Sequence, residues 1–184
     1  QVCIRDFHGL NTREHQPQQI AAMEGVWETQ KGAPLLLFAV PDEENRTNHF
    51  EIGIPKMASV ILTHDPDGEI KGLNEFVGEH PPVSPVFYAF RIMVGLGMLM
   101  LLLSWLGSVL LLKNKSLPKW MLTVLVGMSF SGWIATLAGW YVTEIGRQPY
   151  LISGLLKTAD AVTDIAPDSV LISFILYISI YTAL

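Results

Sequence analysis

The chain has 184 residues, half of them hydrophobic and only 16% charged, with a mean hydropathy of +0.36, which excludes an ordinary soluble domain. Its net charge of −5, with no basic stripe along the chain, excludes a surface that tracks nucleic acid. The single cysteine, Cys3, excludes an internal disulfide framework and any paired-cysteine zinc or thiol chemistry.

Residues 1–85 read as water-facing protein, without repeats or low-complexity tracts. Residues 16–28 are predicted to be helical, with Ile20, Met23 and Trp27 on one face. Two strand-like or buried runs follow, 34–40 and 58–62. Turn signals flank them at Pro41-Asp42-Glu43-Glu44-Asn45 and Asp65-Pro66-Asp67-Gly68. Residues 86–112 carry one charge, Arg91, and at about 1.5 Å per residue they are long enough to span a bilayer with tilt. After the lysine-rich link 113–119, residues 120–143 carry no charge at all, so the two runs are expected to form a transmembrane hairpin. A third uncharged run, 169–184, is short of the ~20 residues a span needs. Because the chain starts at Gln1 and stops at Leu184 inside that run, it reads as a fragment.

The 113–119 link holds three lysines and no acid. Residues 1–85 hold six basic against 13 acidic residues, and 144–168 hold two against four. The positive-inside rule therefore places 113–119 in the cytoplasm and both acidic segments outside. The expected fold is an all-α membrane protein: a transmembrane helix bundle with an outer-facing mixed loop region, itself part of a larger bundle.

Several residues could carry chemistry. Arg91, six residues into a span, either snorkels to the headgroups or holds an anionic partner. Met93 is either packing or a thioether ligand for haem iron. On a continuing helix Trp140, Glu144 and Arg147 share a face, either as an aromatic belt with a local ion pair or as part of a site toward the leaflet that holds Arg91 and Met93. Glu24 borders the Ile20, Met23, Trp27 stripe. If that stripe is buried, desolvation raises its pKa and lets it take a proton from a hydroxyl near neutral pH. His64 with Asp65, Asp67 and Glu69 has the composition of a metal loop but reads better as a tight turn, and Asn45-Arg46-Thr47 is a sequon of the kind common by chance. None of the five histidines falls in a predicted span.

Phe87-Tyr88-Ala89-Phe90-Arg91-Ile92-Met93-Val94-Gly95, followed by Ala138-Gly139-Trp140 and Glu144-Ile145-Gly146-Arg147-Gln148-Pro149-Tyr150, resembles subunit I of the cytochrome bd-type quinol oxidases. Ala21-Ala22-Met23-Glu24-Gly25-Val26-Trp27-Glu28-Thr29, Gly32-Ala33-Pro34 and Thr158-Ala159-Asp160-Ala161-Val162 extend the resemblance over nearly the whole chain. It implies an oxidase in the bacterial cytoplasmic (inner) membrane that passes quinol electrons to oxygen, forming water and contributing to the proton gradient without pumping. The implied cofactors are a low-spin haem b, a high-spin haem b, and haem d or a third haem b. Met93 would ligate the low-spin haem b, with Arg91 beside it; Glu144 would ligate the high-spin haem b, near Trp140 and with Arg147 at the propionates. Glu24 would act in quinol oxidation.

The implied partners are the N-terminal half of the same subunit with its histidine ligands, subunit II, a small accessory subunit, membrane lipid, quinol and oxygen. The fragment is expected to be inactive and not to hold haem stably alone. Gln19 stands where many members carry lysine, Tyr150 replaces a more usual tryptophan, and the short loop resembles the cyanide-insensitive branch. From the residues alone, a transporter with Arg91, Glu144 and Arg147 lining a substrate or proton path is the rival reading.

Overall fold

The structure is a computed structural model that describes residues 2–113, 116–152, 154–161 and 165–183, with side chains from residue 9 onward. Cys3 as a side chain, Asn114 and Lys115 of the lysine link, Ser153, Val162, Thr163 and Asp164 of the segment after the second span, and Leu184 lie outside the described residues.

Helices α1 (Val2–His15) and α2 (Pro17–Glu24) open the chain. Pro17 at the first position of α2 fits the fixed φ of the ring, and Gly25 ends the helix with φ 67°, its N–H donating back to the Ala21 carbonyl. The helix therefore stops at Glu24 and not at 28: the left-handed cap turns the chain, and Trp27 reaches the apolar face from beyond it. Strand β1 (Gln30–Lys31) pairs with β4 (Glu69–Ile70), and β2 (Leu35–Asp42) forms an antiparallel hairpin with β3 (Thr47–Ile54). Asp42 organises the hairpin turn by accepting from Asn45 Nδ2 at 2.8 Å and from the N–H groups of Glu44 and Asn45. Those bonds, led by the Asn45 side chain, lower its pKa to about 2.

Residues 58–62 form no strand. They lie in helix α3 (Met57–Thr63), flanked at both ends by left-handed residues, Lys56 (φ 61°) and His64 (φ 58°). Buried Ser59 accepts from the Ala33 N–H and donates to the Gly68 carbonyl, and these tertiary bonds settle the conformation against the β-branched composition. The segment after α3 is the expected turn, with Asp65 accepting from the Asp67 N–H and Asp67 paired with Lys56 at 2.7 Å.

Among the described residues, two stretches are long and apolar enough to cross a membrane. One is helix α4 (Val83–Leu112); the other is Lys119–Gly146, built from α5 (Lys119–Gly127), a single 3-10 turn (Met128–Phe130) and α6 (Ser131–Gly146). They pack antiparallel, with Gly139 facing Met93 at one level and Gly107 facing Met121 at another. Hydroxyls within them return to their own helices: Ser108, Thr123, Thr136 and Thr143 each donate to the carbonyl four residues earlier. Their outer faces stay open, as at Leu102, Trp105 and Trp133. Strands β5 (Tyr150–Ile152) and β6 (Leu156–Lys157) follow, then α7 (Pro167–Ala183), an exposed apolar helix.

The loop region is seated on the end of this hairpin where α4 begins and α6 finishes. Ala21, Ala22, Trp27, Leu73, Val83 and Val86 form one buried cluster, with Met23 and Ile145 against it. Glu43, in the β2–β3 turn, accepts from the N–H groups of Val83 and Ser84 at 2.9 and 3.2 Å, satisfying donors that the first turn of α4 leaves unpaired.

Candidate functional site

The junction between loop and hairpin centres on one buried ion pair. Gly25 sits where a Cβ would meet the Phe87 ring at 3.1 Å, so both its positive φ and its close approach to α4 call for glycine. That approach leaves Glu24, the last residue of α2, facing α4 with only 4% of its surface exposed. One turn beyond Phe87, Arg91 lays its guanidinium 3.8 Å from the centre of that ring and donates to Glu24 Oε2 at 3.2 Å. Its remaining donors go to backbone: Nε to the Leu36 carbonyl at 2.9 Å, Nη2 to the same carbonyl at 2.6 Å, and Nη1 to the Met23 carbonyl. Burial pushes the Glu24 carboxyl above its ordinary value, against the opposing pull of the Arg91 charge and hydrogen bond.

Polar neighbours hold this pair in place. Asn48 donates to the Gly25 carbonyl and to Glu51, and accepts from Trp27 Nε1 at 2.8 Å, so β3 clamps the turn that carries Glu24. Gln19 donates to the Val142 carbonyl at 3.1 Å and lies against Gly146, joining α2 to α6. Beside the pair, a cavity of about 340 Å³ is lined by Glu24, Trp27, Arg46, Asn48 and Glu51 among others. Asn48 and the Leu36 carbonyl were missed in the sequence, where a strand asparagine and a leucine carry no distinguishing pattern.

The second group lies on α6. Glu144 pairs with Arg147 at 3.3 Å, both side chains partly exposed, and Trp140 is 58% exposed one turn earlier. Met93 turns its Sδ toward α6, where a Cβ on residue 139 would meet it at 2.9 Å. Glu144 is five residues beyond Gly139, which puts it roughly 7 Å nearer the loop end of the hairpin than Met93. The Arg147 segment is fastened to the loop by Tyr150, which donates to Glu79 at 2.8 Å, and it contains a cis Gln148–Pro149 bond.

The structure thus joins Arg91 to Glu24 and Arg147 to Glu144, two separate carboxylates, and sets Met93 between the facing helices at the same end. Among the described residues no group of three or more His, Cys, Asp and Glu could hold a metal ion. The donor set fits haem in a restricted way. A thioether on α4 and a carboxylate on α6 would each offer iron one donor atom, and an exposed aromatic face and a cation stand beside the carboxylate.

The model of the family described as cytochrome bd terminal oxidase subunit I matches residues 1–184. Cytochrome bd ubiquinol oxidase subunit 1 of Bacillus subtilis (strain 168) is 36% identical over 186 residues, covering 93% of this chain and 39% of that protein. Cytochrome bd-II ubiquinol oxidase subunit 1 of Escherichia coli (strain K12) is 27% identical over 247 residues, covering 97% and 48%. The solved bd oxidase of Geobacillus thermodenitrificans shares the fold with a TM-score of 0.80 and 33% identity over 99% of this chain and 43% of that one. The chain therefore spans less than half the length of each of these relatives.

Proposed function

Because the chain belongs to the cytochrome bd terminal oxidase subunit I family, we propose that it carries the quinol-oxidising loop and part of the haem-binding helices of a membrane quinol:oxygen oxidoreductase. The observation that carries this reading is the Arg91–Glu24 bridge, which ties the loop to a membrane helix two residues from Met93. In this reading 1–85 and 144–168 face the periplasm of a bacterial cytoplasmic membrane, 86–112 and 120–143 span it, 113–119 is cytoplasmic, and 169–184 belongs to a third span of a larger bundle.

Glu24 accepts the proton of a quinol hydroxyl. Its burial raises the carboxylate's proton affinity toward the working pH, while Arg91 keeps the ionised form accessible between turnovers. The polar cavity beyond Glu24 gives that proton a way out to the periplasm. Met93 would hold the low-spin haem b through its thioether and Glu144 the high-spin haem b through its carboxylate. Trp140 would lie near the haem pair, and Arg147 would pair with propionates. When bound, haem b and haem d or a third haem b supply electron acceptance and oxygen reduction to water. Protons released outside and consumed inside separate charge without a pump. The partners are the rest of subunit I, subunit II and a small accessory subunit.

The test uses the complete oxidase. Met93→Leu removes the thioether while keeping the volume, so the low-spin haem b absorbance is expected to disappear with the complex still assembled. An unchanged low-spin spectrum would reject the assignment.

A further inference from the structure

The β2–β3 hairpin lies lengthwise along α4, held by three side chains on one face of that helix. Ser84, Tyr88 and Arg91, at i, i+4 and i+7, donate to the carbonyls of Pro41, Ala39 and Leu36 at 3.5, 3.1 and 2.9 Å. Strand β2 therefore runs antiparallel to the helix, and each step along α4 into the apolar run is matched by a step back along β2. The charged turn of the hairpin, Asp42 to Arg46, sits at the start of α4, where Glu43 caps it. The open end of the hairpin reaches further, since Leu35 and Leu37 share a groove with Arg91 and Val94. Those two positions of α4 lie roughly 7–12 Å past Val86, where the apolar run begins.

Charge falls and apolar exposure rises in the same direction. Residues 35–40 of β2 carry no charge. Phe38 and Ile52 are cross-strand partners and share a face with Ile54, two residues on; the three are 49%, 61% and 41% exposed. Phe50 and Glu51 together oppose Ala39 alone, and in this bulge Phe50 takes a left-handed φ of 54° and is 81% exposed. Glycine would hold that conformation at less cost, and packing within the chain does not compensate the ring. Hydrocarbon cannot surround this end completely: among the described residues β3 pairs only with β2, so its outer edge keeps backbone groups that the bilayer core would leave unsatisfied. The boundary between headgroups and acyl chains meets both demands, with acyl chains for the side chains and hydrated headgroups for the edge. We propose that the open end of the β2–β3 hairpin is seated in the headgroup–acyl boundary of the leaflet at the loop end of α4. The loop region then binds lipid directly, and the Arg91 bond to the Leu36 carbonyl fixes how deep the hairpin sits. The proposal rests on the reading of α4 as a membrane span.

The experiment places single nitroxide labels on the complete oxidase, in a cysteine-free background, reconstituted in vesicles of phosphatidylcholine and phosphatidylglycerol. Each label's collisions are measured with oxygen, which partitions into lipid, and with a water-soluble nickel chelate. At Ile52→Cys the oxygen-to-nickel ratio is expected to be about tenfold higher than at Glu44→Cys in the turn. Phe38→Cys, at the cross-strand partner, gives the same readout if Ile52→Cys fails to assemble. Equal ratios at the patch and the turn would mean that the patch faces water and would overturn the lipid seat. A patch label reached by neither reagent would overturn it too, because protein from the rest of subunit I or from subunit II would then cover the face. Leu102→Cys, deep in α4, separates this from the span itself: free access of the chelate there would overturn α4 as a membrane crossing, whatever the hairpin labels report.

Discussion

Glu24 and Arg91 are each costly to bury alone, and each makes the other tolerable. Removing one partner from such a pair leaves an uncompensated charge, worth about 3–5 kcal/mol unless the survivor changes protonation. Glu24 can do that by taking a proton. The sign follows from its causes: burial raises its pKa and Arg91 lowers it, so Arg91→Gln removes the lowering influence. A base works only when deprotonated, so the acid limb of kcat/KM for quinol oxidation is expected to move to higher pH in Arg91→Gln and to vanish in Glu24→Gln. A pH profile of the complete oxidase checks both, and a limb that stays in place in Arg91→Gln would remove Glu24 from the proton path. Both residues stood out in the sequence for separate reasons, one as a lone charge in an apolar run and the other as a carboxylate beside an apolar stripe. Their pairing, across 67 positions of chain, had no local trace. Asn48, which holds the turn between them, had none either.

At the scale of elements, the sequence was most legible where one period ran long, and least where a single backbone angle or tertiary bond decided. The apolar runs that became α4 and the α5–α6 stretch needed only composition. The end of α2 was misplaced because Trp27 continues the helical spacing, although Gly25 marks the stop; the indole reaches the same core by another route. Residues 58–62 read as a strand by residue type and became a helix through Ser59. The same element contacts predict how α4 and α6 position the thioether. Gly139→Leu puts a side chain where Met93 Sδ now lies, a contact of 2.9 Å from the first added carbon alone. Because the far end of methionine is flexible, the expected result is displacement of the Met93 thioether at a cost of about 1–3 kcal/mol. The low-spin haem b band of the complete protein should weaken or shift. Gly127→Ala, where an added carbon meets nothing within 4 Å, should leave that band unchanged and serves as the control. Equal spectra for the two variants would show that α6 does not position Met93.

Across the whole molecule, the proposed function depends on sidedness, because protons taken from quinol would add to the gradient only if they left on the outer face. The described loop region sits entirely at the end of the hairpin where α4 starts and α6 ends, while Lys113 and Lys119 flank the opposite turn. The charge bias predicts the orientation of the pair: lysines resist translocation near short turns, so the lysine turn is expected to stay inside and the Glu24 end to face out. Two exposed positions mark the two ends, Glu44 in the β2–β3 turn and Ser116 in the lysine link. With Cys3→Ser as background, a membrane-impermeant maleimide applied to intact spheroplasts is expected to label Glu44→Cys and to reach Ser116→Cys only after permeabilisation. The reverse pattern would put Glu24 on the cytoplasmic side. Quinol protons would then be released where oxygen reduction consumes them, and the proposed contribution to the gradient would be lost even with every contact around Arg91 intact.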